Sequence, residues 1–578
     1  MRKYLVRNLP KYIVGGMALL MSTALDVWFP LITMSLVDDV IVGGDMEILK
    51  VDLFCLALIG LGRAVAQYVK EFLCDMAGCS VAESMRKDMM KHIQKLSKSY
   101  FDANNTGELM ARVRDDTGKI WDICSFAGML IVEGVCYIAG VMFCMIRLNF
   151  RLSLIPIAFL PILGILVIKI DKKLGGIYGA ISDENAVLDR VIEENISGVR
   201  TVKAFAAEEF ELAKFDKEND KFSKLNVEQA TFMAGMEPVI GFIPKLMLGC
   251  MIAIGGYAAI KGHITYGMLV AFMQYTSNIV WPIEMMGWLL NMLSSAVASY
   301  KKIKVIFDAQ PEITEKAETV SPFGNIGDLC FNHVDFSLDG KDILKDVSFT
   351  LPAGKTLGVM GATGTGKSMM VNLIERFYDV NAGEIRIGGV DIRDMKLEEV
   401  RGFSSIVTQD VFLFSDTIKQ NVKLGNKKGM SDDTVKFAIK KAHASEFVEK
   451  ITGGYDAVIG ERGIGLSGGQ KQRLSIARAL AKPAGLLIMD DSTSALDMET
   501  ESDIQKEINE KKDMSKIIIG HRISSVKDAD EIIVLDGGRI AERGTHEELL
   551  KLKGLYYSTY EAQYGNYREA MRVMGGVN

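Results

Sequence analysis

The sequence predicts a membrane α-helical domain of six long transmembrane helices with cytoplasmic extensions, joined to an α/β domain of the P-loop NTPase class. Three observations predict it. The first half holds six apolar stretches, each near the ~20 residues that cross a bilayer. The second half alternates short β-rich runs with helical patterns. One of those runs leads into GATGTGKS (361–368), a phosphate-binding loop.

Composition agrees with two unlike halves. Of 578 residues, 49% are hydrophobic and 24% charged, and mean hydropathy is +0.17. That charged fraction is ordinary for a soluble protein, so the apolar excess is concentrated in one region. The net charge of −6 argues against a protein held on nucleic-acid phosphates, and no nucleic-acid partner is expected. The cysteines (Cys55, Cys74, Cys79, Cys124, Cys136, Cys144, Cys250, Cys330) contain no C-x-x-C pair and lie mostly in apolar stretches. They read as free thiols rather than as a zinc site or disulfide framework. With 11 prolines, rigid Pro-rich linkers are excluded.

The spans run near 12–35, 51–73, 126–147, 150–170, 236–260 and 265–292. The first follows Arg2, Lys3, Arg7 and Lys11 like a signal peptide, but it is longer than a signal core and is read as a retained anchor. Basic residues crowd the long loops 75–125 and 171–235, including Arg86, Lys87, Lys91, Lys172, Lys173 and Lys214. By the positive-inside rule these loops and the N-terminus are cytoplasmic. Arg147 and Arg151, in a tight turn on the other side, are a local exception. The long loops have helical texture, so the spans are expected to continue ~40 Å into the cytoplasm. Candidate hairpin tips are Ser99–Glu108 and Phe205–Phe215. The expected division is a transmembrane domain over 1–310, a linker over 311–325, an α/β domain over 326–565 and a tail over 566–578.

In the α/β half, strand-like runs fall at 355–361, 404–409, 485–491, 516–521 and 531–536. In GATGTGKS, Gly361, Gly364 and Gly366 let backbone N–H groups approach phosphates beside Thr363 and Thr365. Lys367 supplies a point charge, and the Ser368 hydroxyl can ligate Mg²⁺. A chance glycine turn is the alternative, and strand before with helix after leaves it little room. Asp490 ends an apolar run where an acidic partner for Mg²⁺ is expected. In LSGGQKQRLSIARAL (466–480), Ser467, Gly468 and Gly469 open a helix whose N-terminal N–H groups can meet an anion.

These motifs together resemble the nucleotide-binding cassette of ATP-binding cassette (ABC) proteins. The whole chain resembles an ABC exporter half-transporter, six spans followed by one cassette. The resemblance implies a Walker A loop at Gly361–Ser368 and a Walker B strand at Leu486–Asp490. It also implies a signature at Leu466, Ser467, Gly468, Gly469 and Gln470. Gln409 falls at the Q-loop, Ser494–Asp497 at the D-loop and His521 at the switch histidine. ATP and Mg²⁺ are the implied cofactors, with Ser368, Gln409 and Asp490 around the metal. The stretches 100–116 and 197–209 are similar to the family's coupling loops, and Glu461 in "VIGERGIG" would face them.

Three positions depart from the family pattern. Asp491 stands where the family has the Glu that orients or deprotonates the attacking water. Leu338 stands where an aromatic residue stacks on adenine, and Met369 where Thr or Ser follows the Walker A Ser. Aspartate withdraws the carboxylate by roughly 1.5 Å, and a ~1 Å misplacement can cost ~10²-fold in rate. Two readings follow: Asp491 works as it stands, or this chain's own site binds ATP and hydrolyses it slowly. The second implies a heterodimer with a half-transporter carrying Glu after its Walker B strand; the first allows a homodimer.

The expected function is ATP-driven export of amphipathic small molecules, drug- or lipid-like, across a bacterial cytoplasmic membrane. Alternatives are a lipid flippase, a peptide exporter, or an ATP-gated channel or regulatory membrane protein. Asp26, Glu133, Glu237 and Glu284 lie inside spans, where ionisable residues default to function, and would suit a cationic amphiphile. Dense methionines such as Met247, Met251, Met285 and Met286 suit a cavity that accepts varied shapes. The plainer alternative is that Asp26 pairs with Arg63 and the methionines fill gaps.

Overall fold

The computed structural model describes residues 1–321, 328–426, 429–460, 463–493 and 495–574, with side chains as far as 565. The chain forms two compact units. One comprises Met1–Lys95 with Asn104–Gln310, the other Leu96–Ala103 with Pro311–Asn578.

The first unit is all helix. Its long members are Leu9–Ser35, Met46–Ile93, Gly128–Leu148, Phe150–Ser197, Glu208–Ile260, Tyr266–Asn278 and Val280–Asp308. At ~1.5 Å per residue, a 48-residue helix such as Met46–Ile93 or Phe150–Ser197 runs about 70 Å, over twice the ~30 Å of hydrocarbon. Among the described residues, four helical stretches are long and apolar enough to cross a membrane: Leu9–Val42, Thr106–Leu148, Phe150–Ser197 and Glu208–Ile260. The predicted span 51–73 lies on Met46–Ile93, where Asp52, Arg63, Lys70 and Glu71 dilute its hydropathy. The predicted span 265–292 is interrupted at Ile279 and shared by Tyr266–Asn278 and Val280–Asp308.

Apolar side chains cover the outside of this unit. Leu20, Trp28, Phe54, Leu61, Phe143 and Ile165 are each more than half exposed, as suits helices solvated by lipid. Inside, Val27, Val141, Met145, Met247, Met251, Phe272 and Tyr275 pack into one cluster. The buried Tyr275 hydroxyl donates to the Val27 carbonyl at 2.6 Å. Gly78 lets its helix approach residue 125 closely, since a Cβ there would lie 2.8 Å from the Ser125 backbone N.

The hairpin turns differ in part from expectation. The first turn contains the short helix Lys98–Ala103, overlapping the predicted tip Ser99–Glu108. The second reverses over Gly198–Ala207, earlier than the predicted Phe205–Phe215. Glu208, Glu209 and Glu211 fill the first turn of the next helix, where negative charge complements the helix dipole, so that helix starts at once.

The second unit holds two sheets. In the first, β1 (Leu329–Leu338), β2 (Lys341–Leu351), β4 (Ala382–Ile387) and β5 (Val390–Asp391) form an antiparallel order β2-β1-β4-β5. Asp339 and Gly340, both at positive φ, make the two-residue turn between β1 and β2, as an Asp-Gly pair favours. The other strands are β3 (Thr356–Gly361), β6 (Ser404–Val407), β7 (Leu486–Asp490), β8 (Ser515–Ile519), β9 (Glu531–Asp536) and β10 (Arg539–Gly544). Their order is β10-β9-β3-β8-β7-β6, parallel except for the β9–β10 pair. All five strand-like runs of the sequence fall on β3, β6, β7, β8 and β9. They read as continuous apolar runs because a parallel sheet is covered on both faces; every residue of β7 is buried. The parallel strands deliver Gly361, Asp490 and the residues after β6 and β8 to one edge of the sheet, where α/β folds bind ligands.

Candidate functional site

That edge carries a cleft of about 350 Å³. Thr363, Gly364, Gly366, Lys367, Ser368 and Met369 line one wall. Gln409, Asp490, Asp491 and His521 line the rest, with Ile343 and Ile519. These residues come from five separate stretches of sequence. Leu338 does not line the cleft; it is half-buried against the hydrophobic core at the end of β1.

The loop conformation explains its glycines. Gly366 sits at φ 100°, and a Cβ there would lie 2.6 Å from Leu344 Cδ2. A Cβ at Gly361 would lie 2.5 Å from the Leu535 carbonyl oxygen. Thr365 Oγ1 donates to the Ala362 carbonyl at 2.9 Å and braces the turn. The helix Lys367–Ile374 starts at Gly366 with no side-chain cap, so its first-turn N–H groups remain available to an anion. Lys367 Nζ donates to the carbonyls of Gly361 (2.8 Å) and Ala362 (2.7 Å). Burial pushes the Lys367 ammonium below its usual range, and Asp490 and Asp491 oppose that shift.

Burial pushes the Asp490 carboxyl above the usual carboxylate range. The Ser368 hydroxyl donates to it and pulls the other way, while the Asp491 charge pushes it further up. Asp491 is tied to β8 through its N–H, which donates to the Ile519 carbonyl at 3.0 Å. Its φ is 44°, a left-handed conformation that aspartate tolerates better than most residues.

The LSGGQ segment lies elsewhere. Ser467 caps the helix Gly468–Ala481 through a reciprocal box: Gln470 N–H donates to Ser467 Oγ (3.3 Å), and Ser467 N–H donates to Gln470 Oε1 (2.9 Å). The box does not engage the Gly468 and Gly469 N–H groups. Gln472 Oε1 accepts from Ala495 N–H at 3.1 Å, linking this helix to the chain after β7. Among the described residues, none of 466–470 lines the cleft.

Comparison with known proteins agrees with this geometry. A family model described as ABC transporter transmembrane region matches residues 12–283, and one described as ABC transporter matches residues 344–494. The chain is 35% identical over 552 residues to the uncharacterized ABC transporter ATP-binding protein YknU of Bacillus subtilis (strain 168), spanning 95% of this chain and 94% of that protein. The chain belongs to the ABC transporter family. It is also 32% identical over 556 residues to the ATP-dependent lipid A-core flippase of Syntrophus aciditrophicus (strain SB), covering 96% and 92% of the two. A solved bacterial Atm1-family ABC exporter with ATP bound matches with a TM-score of 0.81 at 27% identity, over 97% of this chain and 98% of that one. The chain is thus an ABC exporter half-transporter, a transmembrane region fused to an ATP-binding cassette. It spans the membrane several times and couples ATP hydrolysis to transport, and ABC exporters function as dimers.

In the D-loop, Asp497 caps the helix Met498–Asn509 by accepting from Thr500 N–H at 2.9 Å, which holds its carboxyl below the usual range. Ser494 and the coupling residue Glu461 lie outside the described residues. Residues 97–102, around the start of the first predicted coupling stretch, pack within the second unit. Tyr378 donates its hydroxyl to Asp102, Ser99 donates to Glu312 at 2.6 Å, and Ile313 N–H donates to Ser97 Oγ at 3.0 Å.

In the membrane unit, Asp26 pairs with Arg63 at 2.8 Å. Glu133 pairs at 2.7 Å with Lys70, whose side chain is fully buried. Glu237 and Glu284 are exposed on their helices. Lys70 has no motif around it, and only the fold shows that it neutralises Glu133. Glu501 is similarly hidden in sequence. Its buried carboxylate accepts from Thr493 (2.8 Å) and Ser525 (2.9 Å), bridging the end of the Walker B segment to the residues after His521.

Proposed function

We propose that this chain is the slow-site subunit of a heterodimeric exporter that moves amphipathic small molecules across the bacterial cytoplasmic membrane. The observation that carries the reading is Asp491. It lines the cleft where the family has Glu, while the signature Leu466–Gln470 keeps the family pattern. The aliphatic Leu338 at the position where the family stacks an aromatic on adenine adds support. In this reading the partner's signature closes over this chain's Walker A loop, and this chain's signature completes the fast site built on the partner's Walker motifs. All six predicted spans cross the bilayer, with the N-terminus and cassette on the cytoplasmic side. ATP binding clamps the two cassettes, the coupling segments pass the movement to the spans, and hydrolysis resets them.

The residues of the cleft fit a nucleotide phosphate chain with Mg²⁺. A hydroxyl (Ser368), an amide oxygen (Gln409) and a carboxylate (Asp490) form the all-oxygen donor set that a hard divalent cation takes. Bound there, Mg²⁺ would neutralise phosphate charge. Lys367 would move from the loop carbonyls to the phosphates. Gln409 and His521 would flank the terminal phosphate, and Asp491 would act on the attacking water with a carboxylate one methylene shorter than the family's glutamate.

For the substrate, pairing of Asp26 and Glu133 leaves Glu237 and Glu284 as the uncompensated acids of the predicted path. A lipid flippase is the second reading, favoured by the lipid A-core flippase among the relatives. Replacing Asp491 by Ala should leave much of the complex's ATPase activity, and replacing the partner's catalytic Glu by Gln should abolish it. If the purified chain alone forms a fast-hydrolysing dimer that Asp491→Asn inactivates, the heterodimer reading is wrong. Transport of labelled lipid against cationic dye in inverted vesicles separates the two substrate classes.

A further inference from the structure

His521 stands between β8 and the short helix Ile523–Val526. Its place at the cleft is therefore only as firm as that stretch of backbone. Two hydrogen bonds from Gln563 hold the stretch. Gln563 Nε2 donates to the His521 carbonyl at 2.6 Å, and Gln563 Oε1 accepts from the Ile523 N–H at 2.9 Å. One side-chain amide thus pairs with backbone on both sides of Arg522, as a neighbouring strand would.

The helix that carries Gln563 is itself anchored. At its start, the Glu542 carboxylate accepts from the N–H groups of Leu555 and Tyr556, the latter at 3.0 Å. Tyr556 is 1% exposed, and its hydroxyl lies 2.6 Å from His546 Nδ1. Tyr556, Ile523 and Val526 share one buried cluster with Met360 of β3. Gln563 therefore bridges two points fixed in the same core. A cavity of about 450 Å³, walled by this helix, Ala362 and Val534–Asp536, opens beside both His521 and Gln563. Without the amide, the His521 backbone has space into which it can relax. A second tether acts through side chains only: Glu501 accepts from Ser525, and Arg522 lies 3.5 Å from it.

We propose that Gln563 is a positioning residue for ATP hydrolysis, holding the His521 backbone so that the imidazole stays at the cleft. This rests on the reading of His521 as the histidine that acts on bound ATP. Gln563 itself does not line the cleft. Its loss should slow the chemical step and leave nucleotide affinity alone.

The test uses the full-length protein in its assembled form, with the partner's own catalytic acid disabled where a partner is present. ATP hydrolysis is followed under single-turnover conditions, and Mg-ATP affinity is followed with a fluorescent analogue. Gln563→Ala should slow hydrolysis about tenfold, within the ~10²-fold range that a 1 Å misplacement reaches. Affinity should stay within about twofold and thermal stability should hold, because the removed side chain is exposed. Gln563→Glu, nearly the same shape, should slow hydrolysis similarly because it sets a carboxylate against the His521 carbonyl. In a His521→Ala background, Gln563→Ala should cause no further loss. Losses that multiply, or an affinity that falls with the rate, would overturn the proposal. A slow His521→Ala beside an unimpaired Gln563→Ala would sink it alone. An unimpaired His521→Ala would sink the reading of His521 as well.

Discussion

Asp491→Glu is expected to speed hydrolysis in this chain's own cleft by roughly 10- to 100-fold. The Asp491 N–H is bonded to the Ile519 carbonyl at 3.0 Å, so the backbone there is tied to β8 and the substitution moves mainly the carboxylate. One more methylene carries that carboxylate about 1.5 Å further into the cleft. A ~10²-fold gain corresponds to about 2.7 kcal/mol of barrier. Against it stands the backbone: at φ 44° glutamate is less comfortable than aspartate, by about 1 kcal/mol. That cost falls on the folded state as a whole rather than on the chemical step. The variant should therefore be faster and less stable at once, with the cassette's Tm lower by about 2–4 °C. Phosphate release is the assay, measured on the assembled protein with the partner's catalytic Glu changed to Gln so that only this cleft turns over. If Asp491→Glu leaves the rate unchanged while Asp491→Asn drops it to background, aspartate already does the work and the slow-site argument fails.

On the proposed heterodimer, Ser467→Arg should cut turnover of the complex far more than Lys367→Ala, because Ser467 caps the helix assigned to the partner's fast site and Lys367 lines the cleft assigned as slow; equal losses in an ATPase assay would count against that division. Mg-ATP binding to this cleft should be full where Asp490 is ionised and fall away as pH drops through its raised pKa, above the usual carboxylate range. Asp491→Asn removes a negative neighbour, so a fluorescent-nucleotide titration should show that acidic limb moving to lower pH, and a limb that rises would refute the assignment. Lys70→Met should cost about 3 kcal/mol by leaving Glu133 without its partner, and adding Glu133→Gln should restore most of that; thermal unfolding in detergent that shows additive losses would argue against the pair.

The legible parts of the molecule were those encoded in contiguous residues. GATGTGKS specifies its own turn, because each glycine and the Lys–Ser pair act within eight positions of chain. The five apolar runs specify buried parallel strands for the same local reason. Register with Val334 and Phe336 puts Leu338 at the expected adenine position, whereas the fold sets it as the last residue of β1, packed against the core. The second hairpin tip was misplaced because one turn of helix looks like the next in a polar, proline-free stretch. Here the cluster Glu208, Glu209 and Glu211 was the cue. Lys70–Glu133, separated by 63 residues, and Gln563–His521, separated by 42, could not be read at all. Nothing in the local chemistry of a lysine or a glutamine announces its partner.

The membrane charges bear on what such a path can carry. The helix Met46–Ile93 supplies both cations, Arg63 and Lys70, and the acids they meet, Asp26 and Glu133, come from two other helices. Two ion pairs therefore tie three helices together within the predicted spans, where an unpaired charge is costly. An acid already committed to a buried lysine is a poor anchor for a cationic substrate, because capturing that substrate would leave Lys70 unpaired in its place. The pairs act as struts; for the cationic amphiphile proposed above, Glu237 and Glu284, exposed on helices of their own, are the acids left to meet its head group. On this reasoning Glu284→Gln should weaken stimulation of the ATPase by cationic dyes while sparing basal activity. Glu133→Gln should instead lower stability first, through the lysine it abandons.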